Sequence, residues 1–500
     1  MVVEKKEQSL KQIIEFRKKK LKELRDMGIN PYPYKFDVSH VSQNILKNFK
    51  LLKGESVSVA GRIVSLRKMG KASFFHVQDQ DGKIQIYIKK DNVGEEQYAL
   101  FKLLDMGDIV GISGKVFKTK TEEISIATDE VTLLSKSIQP LPGSKEKDGE
   151  KYSAFANKEH RYRHRYLDLV VNPEVREVFI KRSKIISSIR NFLDSHGYVE
   201  VETPVLQPLY GGAFAQPFKT RHYALDQDLY LRIADELYLK RLIIGGFTRV
   251  YELSKVFRNE GMDRNHNPEF TMLEFYTAYV DYFYLMDFVE SLIKHCAEVL
   301  GIKTLSAGDE EIDIFQPFQK ASYFELLEKA AGLDISTFDE TQLKELCKEH
   351  NIALEENAHK GRMYDVLMRE FVEPELIAPT FVMDYPKVIS PLAKIKRNGD
   401  GSIVERFELF MGGNEIANAF TELNDPVDQR IRMEEQSELR KSGDLEAQTL
   451  DEDFLKAMET GMPPTGGVGI GIDRLVMLLT GQRSIKDVIF FPALRSQPDD

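Results

Sequence analysis

Apolar and polar positions divide the chain into stretches of different rhythm. Over residues 4–27, Leu10, Ile13, Ile14, Phe16, Leu21 and Leu24 recur at a rough 3.6-residue period among charged neighbours. That spacing predicts one helix, stopped by Gly28 and by Pro31 beyond it. Between residues 55 and 135 the period falls to two. Alternation over 57–66, 73–78, 83–89, 108–118 and 124–134 predicts five short strands with turn signals such as Asp81-Gly82 between them. A helix-like insert covers 95–104. Residues 139–151 (QPLPGSKEKDGEK) are polar and Pro/Gly-bearing, which marks a boundary. Beyond residue 155 helices and strands mix without regular alternation. An amphipathic helix is expected over 176–196, strands over 245–252 and 270–279, and a helix over 284–300. The fold class is therefore α+β: a five-stranded barrel, then a mixed, mostly antiparallel sheet with helices. The expected divisions are a helix at 1–30, the barrel at 31–138, a linker at 139–155 and the larger domain at 156–500.

Composition narrows the function. At 500 residues the chain holds several domains, and 42% hydrophobic with 30% charged residues is globular. Two cysteines exclude a disulfide framework and a cysteine-based zinc site, which fits a reducing compartment. There is no run of 18 apolar residues and no apolar leader, so the expectation is a cytoplasmic protein without a membrane partner. The net charge, 69 − 79 = −10, argues against coating DNA but not against a local nucleic-acid footprint. Two basic clusters stand out, residues 1–28 (nine Lys/Arg, five Asp/Glu) and 158–166 (KEHRYRHRY). Each is either a solvated face or a phosphate contact.

Five strands of this kind form an OB-fold, which often binds single-stranded nucleic acid. Phe74, Phe75, His76, Gln85 and Tyr87 lie in its second and third strands. Alternation buries half of them and leaves the other half free to stack on unpaired bases. No GxxxxGK[ST] phosphate loop occurs, and Gly466–Gly471 lacks the setting of a dinucleotide fingerprint.

Three later segments carry chemistry. The stretch 197–206 (GYVEVETPVL) is a helix exit into a strand with Thr203-Pro204. In 258–275 (RNEGMDRNHNPEFTMLEF), a hairpin would bring the Arg258 fork, suited to a phosphate, beside the flat face of Phe270. Glu260 is placed to accept from an exocyclic amine. In 466–478 (GGVGIGIDRLVML), glycines permit close approach to the backbone. Arg474 follows in the first turn of a helix, where a cation is understandable if an anion sits beside it. These segments resemble motifs 1, 2 and 3 of the class II aminoacyl-tRNA synthetases. With 28–34, 70–74, 232–242 (RIADELYLKRL), 266–274 and 413–429 (GNEIANAFTELNDPVDQ), the likeness narrows to the bacterial-type class II lysyl-tRNA synthetases and covers nearly the whole chain in order.

That resemblance implies ATP-dependent attachment of L-lysine to tRNA(Lys) through a lysyl-adenylate. It implies Arg258 and Arg474 as the catalytic cations, and Arg258, Glu260, His266, Phe270, Glu408 and Arg474 as ATP contacts. Glu408 and Glu415 would hold two or three Mg²⁺ ions together with ATP. Lysine would be bound by Gly212, Glu236, Glu274, Tyr276, Asn418, Phe420 and Glu422, with Glu236, Glu422 and Tyr276 at the ε-ammonium and Glu274 and Asn418 at the α-amine. In the barrel, Arg62, Phe74, Gln85 and Glu123 would read a U-rich anticodon, and motif 1 would form a homodimer with Pro204 near the interface. The alternatives are a ligase that lysylates a protein and a non-catalytic synthetase-like RNA-binding protein. Relatives of the first kind lack the barrel, and the intact motifs argue against the second.

Overall fold

A computed structural model of the chain describes residues 9–142, 144–147, 150–153, 155–307, 310–354, 358–442, 447 and 449–496. The first helix begins where its capping chemistry begins. Ser9 accepts from the backbone of Gln12, and the Gln12 side chain accepts from that of Ser9; this capping box starts α1 (Leu10–Asp26). The earlier residues of the expected helix, 4–8, lie outside the described residues. Its apolar stripe is only partly used. Leu24 is fully buried, whereas Leu10 and Phe16 are more than half exposed. Arg17 is buried instead and donates to the carbonyls of Met106, Ser137 and Gln139.

The alternating segments form β1 (Ser56–Met69), β2 (Ala72–Gln78), β3 (Lys83–Lys89), β4 (Ile109–Lys118) and β5 (Ile124–Ser135), closed in the order β1-β2-β3-β5-β4. The period of two sorts the side chains. Phe75, Val77, Ile84 and Ile86 fill the interior, while Phe74, His76, Gln85 and Tyr87 face outward. The helical insert begins earlier than expected, as α2 (Lys90–Leu103), and its Phe101 packs on Phe75. Within 139–155, the segment expected as a linker, Ser144–Lys147 pairs with Glu150–Ser153 as a short hairpin; residues 143, 148, 149 and 154 lie outside the described residues. The chain divides into two compact units, Met1–Ala156 and Asn157–Asp500.

In the second unit the basic cluster 158–166 resolves into structural ion pairs. On α3 (Arg165–Val171), the buried Arg165 meets Asp168 at 2.6 Å and also donates to the carbonyls of Lys486 and Phe490. Arg161 shares Asp168 at 2.7 Å, and Arg163 pairs with Glu159. The cluster therefore fastens the C-terminal segment rather than presenting a free basic face.

The elements of the central sheet and of the helices that matter most to it follow in chain order: α4 (Pro173–Ser195), β6 (Val199–Glu200), α5 (Glu236–Ile244), β7 (Arg249–Phe257), β8 (Glu269–Ala278), α6 (Tyr282–Leu300), β9 (Gln319–Ser322), β10 (Thr380–Met383), β11 (Arg406–Met411), β12 (Asn414–Thr421), β13 (Thr465–Gly471) and α7 (Ile472–Thr480). The expected strand at 245–252 starts later because Gly245 caps α5. The strand after Gly197 shrinks to the two residues of β6. Eight strands form one sheet, β9-β10-β11-β12-β13-β8-β7-β6, and only the β9–β10 and β7–β6 pairs are parallel. One face is core: Ile185, Ile189 and Leu193 of α4 and Leu285 and Leu292 of α6 join Leu273, Phe275, Val468 and Ile470. The opposite face is packed in part, with Val250, Tyr276 and Ala278 against Leu239 and Ile243 of α5, and its remainder opens onto a cavity.

Asp168→Ala leaves the buried Arg165 unpaired. It is expected to destabilise the Asn157–Asp500 unit by about 3 kcal/mol or more. Denaturant unfolding followed by tyrosine fluorescence checks this; an unmoved midpoint for that unit would show the pair to be dispensable.

Candidate active site

Strand register builds the site in rows across the cavity face. Glu274 of β8 lies opposite Gly469 of β13, Gly469 opposite Asn418 of β12, and Asn418 opposite Glu408 of β11. In the next row Tyr276, Gly467, Phe420 and Arg406 follow one another in the same way. Directly opposed residues share a face, so residues far apart in sequence converge. They line a cavity of about 320 Å³ that also receives Arg258, Glu260, His266, Phe270, Glu415 and Arg474. The glycines of β13 are its floor. A β-carbon at Gly467 would collide with Glu422 Oε1 and the Tyr276 ring. Gly212, at φ +86°, brings its backbone close to the β-carbons of Ala234 and Glu236.

One end of the cavity is cationic. Arg258 stands 5.2 Å from the centre of the Phe270 ring, across the hairpin as the sequence predicts. Burial pushes its pKa down, and the nearby Glu260 and Glu415 carboxylates push it back up. Among the described residues its buried Nε has no hydrogen-bond acceptor, so it can still donate to an anionic ligand. Arg474 Nη1 donates to the backbone oxygen of Glu415 at 2.9 Å and to its Oε2 at 3.1 Å. Its Nη2 lies 3.1 Å from His266 Nε2, while His266 Nδ1 meets Asp263 at 2.8 Å. Asp473 holds the helix start that carries Arg474. It accepts from Arg182 and from the Thr271 amide, both at 2.6 Å.

The other end is acidic and buried. Glu274 accepts from the Asp235 amide at 2.9 Å and from the Tyr276 hydroxyl at 3.1 Å. Burial raises its pKa well above the usual carboxylate range, and Asp235 and Glu236 add to the rise. Asp235 is pushed up to about 7, by burial first and then by Glu252. Behind Glu274 a buried chain runs back to the motif 1 segment: Arg232 pairs with Asp235 at 3.0 Å and with Glu252 at 2.6 Å, and Glu252 accepts from Thr203 Oγ1 at 2.7 Å. Thr203, which the sequence marks only as part of a strand exit, thereby supports the pocket. Glu422 is the one expected lysine contact not on the cavity wall. It is completely buried just behind it, paired with Lys240.

Glu408 and Glu415 both line the cavity from neighbouring strands. Glu408 accepts from Arg406 at 2.6 Å and from the Tyr385 hydroxyl at 2.8 Å, and its pKa rises to about 7 through burial, with Glu415 among the further causes. Two carboxylates that repel each other beside an anion-binding end fit Mg²⁺, which takes few protein oxygens and completes its shell with phosphate and water. Arg406, Lys240, Asp235 and Asp473 are absent from the sequence-derived site. A signal for two of them was present: Arg406 alternates with Glu408, and Lys240 falls one helical turn after Glu236.

On the barrel, Gln85 donates to Glu123 at 2.6 Å, His76 meets Glu123 at 3.0 Å, and Phe74 packs on Tyr87 at 4.9 Å. Phe74, Gln85 and Glu123 thus form one polar–aromatic surface. Arg62 is not drawn into it; its guanidinium donates to the Gly107 carbonyl at 2.8 Å.

Residues 157–495 match the family described as tRNA synthetases class II (D, K and N), and residues 57–134 match the OB-fold nucleic acid binding domain. The chain belongs to the class II tRNA synthetases. Within them its near relatives are lysine–tRNA ligases. That of Carboxydothermus hydrogenoformans is 50% identical, covering 98% of this chain and 99% of the relative. That of Thermoanaerobacter pseudethanolicus is 49% identical with 98% of each covered, and that of Porphyromonas gingivalis 49% with 96% and 85%. At this identity and coverage the chain is a member of the lysine–tRNA ligase family.

Gly467→Ala fills the floor beneath Tyr276. It is expected to cut kcat/KM for the amino acid by about 100-fold or more while KM for ATP moves less than about threefold. Equal damage to both constants, measured by pyrophosphate exchange, would contradict the placement of the two ends.

Proposed function

We propose that the chain joins L-lysine to ATP in this cavity and passes it to tRNA(Lys). The observation that carries the reading is the polarity of the site: unpaired cationic capacity at Arg258, buried carboxylates at the opposite end, and a glycine floor between. A carboxylate ending in a cationic side chain fits that polarity, whereas an acidic side chain would meet Glu236 and Glu274.

The lysine carboxylate attacks the ATP α-phosphorus; a carboxyl oxygen–phosphorus bond forms and the bond to the leaving pyrophosphate breaks. The nucleophile is already an anion, so no protein base is required. Arg258 holds the α-phosphate and Arg474 the γ-phosphate, and positioning with charge neutralisation supplies the rate. Phe270 and Arg474 cover the adenine faces, Glu260 accepts from its amine, and His266 lies by the outer phosphates. Glu408 and Glu415 would hold Mg²⁺, which would supply further charge neutralisation on the phosphates. At the acidic end Glu236, Glu422 and Tyr276 take the ε-ammonium, Glu274 and Asn418 the α-amine, and Gly212 and Phe420 the walls. The terminal ribose hydroxyl of tRNA then attacks the adenylate carbonyl and releases AMP.

The outward surface of Phe74, Gln85 and Glu123 supports anticodon reading, since an exposed aromatic beside a polar pair can stack on and bond an unpaired base. Exposed Val205, Leu206 and Leu209 beside Pro204 support a homodimer through this segment. Among the described residues no helix is long and apolar enough to cross a membrane, and a cytoplasmic setting is part of the same proposal.

Arg258→Ala is expected to slow lysine-dependent pyrophosphate exchange by about 100-fold or more with tRNA affinity nearly intact; unchanged exchange would refute the assignment. Phe74→Ala should raise KM for tRNA in aminoacylation and leave exchange unaltered, whereas parallel losses would deny the barrel a separate role.

A further inference from the structure

A lysine of the protein itself sits at the acidic end of the cavity. Lys240 follows Glu236 by one turn of α5, so both side chains leave the same helix face. It is completely buried, and its Nζ donates to Glu236 Oε1 at 2.5 Å. The same ammonium pairs with Glu422, also completely buried, and lies 5.5 Å from the centre of the Phe420 ring. Glu236 and Phe420 line the cavity, so this cation stands directly behind the wall that the substrate side chain touches. Among the described residues Glu422 Oε1 has no hydrogen-bond donor. A lysine is almost never taken wholly out of water unless it is paired, and here it is paired twice.

Counting charge explains why. Glu236 and Glu422 carry −2 when ionised. Lys240 brings the trio to −1, which one substrate ammonium neutralises. We infer that Lys240 is a built-in counter-cation that holds Glu236 and Glu422 ionised and adjacent, so that the pocket selects a side chain bearing a single positive charge. The inference rests on the reading of these carboxylates as the ε-ammonium site. Lys240 acts through them; it is a positioning and specificity-determining residue, not a catalytic one.

The surrounding groups oppose ionisation without it. Burial raises the pKa of both carboxylates, and Lys240 is the largest influence that lowers each. Glu274 and Tyr276 of β8 face the same space, and Arg406 of β11 helps Glu236 more distantly. The sign of the pH effect follows. Ionised carboxylates bind the ammonium. Without Lys240 their pKa rises, so the pair takes up a proton as pH falls and lysine binding weakens.

A double-mutant cycle tests this, read as KM for lysine in pyrophosphate exchange between about pH 6 and pH 8, a range in which a free side-chain amine stays charged. Lys240→Met is expected to raise KM about 30-fold or more and to make it climb further toward pH 6, while the unmodified chain stays flat. Glu422→Gln alone, which leaves the pocket neutral, is also expected to raise KM about 30-fold or more. The double variant Lys240→Met/Glu422→Gln restores a single negative charge. Its KM is expected to lie at least about tenfold below the product of the two single effects, with the pH dependence largely gone. Multiplicative losses, or a flat pH profile for Lys240→Met, would overturn the inference. Calorimetry on the unmodified chain, in two buffers of different ionisation enthalpy, makes the test independent of variant folding. Lysine binding is expected to exchange no more protons near pH 7.5 than binding of 2-aminohexanoate, which shares the α-amine that Glu274 meets but lacks the ε-amine; one further proton released per site by lysine would show that Glu236 and Glu422 are not held ionised in advance. Failure of the unmodified chain to exchange with lysine at all would instead remove the reading of the site itself.

Discussion

Carboxylates removed from water on one face of one sheet set the terms for the rest of this structure. Asp235, Glu236, Glu274 and Glu422 are all buried around the same end of the cavity. Each is costly to ionise there, and each is held by a specific partner: Arg232 for Asp235, Lys240 for Glu236 and Glu422, the Asp235 amide and Tyr276 for Glu274. Such an arrangement is tolerated when a ligand cation completes it, and it penalises any ligand that brings a negative or neutral group.

The opposite end has the inverse problem and the inverse solution. Arg474 is positioned by the backbone oxygen and the carboxylate of Glu415, while the buried Nε of Arg258 keeps capacity for phosphate. The sheet is what lets the two ends coexist. Its period of two sends Leu273 and Phe275 into the core and Met272, Glu274 and Tyr276 into the cavity, and the β13 glycines leave room for ligand between. Distortion at Thr203 or Arg232 would reach Glu274 through Glu252 and Asp235, which ties the motif 1 segment to the chemistry.

Much of this was legible from residue order. The five barrel strands, the two central strands around Arg258 and Phe270, and the helix that carries Arg474 in its first turn follow from periodicity and punctuation, because local pattern decides them. What pattern left open required the third dimension. Arg165 reads as part of a basic surface, yet it is buried against Asp168 and the tail carbonyls, more than 300 residues away along the chain. Leu10 and Phe16 read as a buried stripe, yet α1 turns them outward while Arg17 goes in. Lys240 lies in the segment 232–242, but its charge is opposite to what an ammonium site requires. Only the geometry shows it bridging two carboxylates.

The most direct measurement is ATP–pyrophosphate exchange by the purified chain without tRNA, run with lysine, aspartate, asparagine and arginine in turn. The account predicts exchange with lysine alone. Exchange with aspartate or asparagine would contradict it, since the acidic end would then be accepting the charge it is built to exclude.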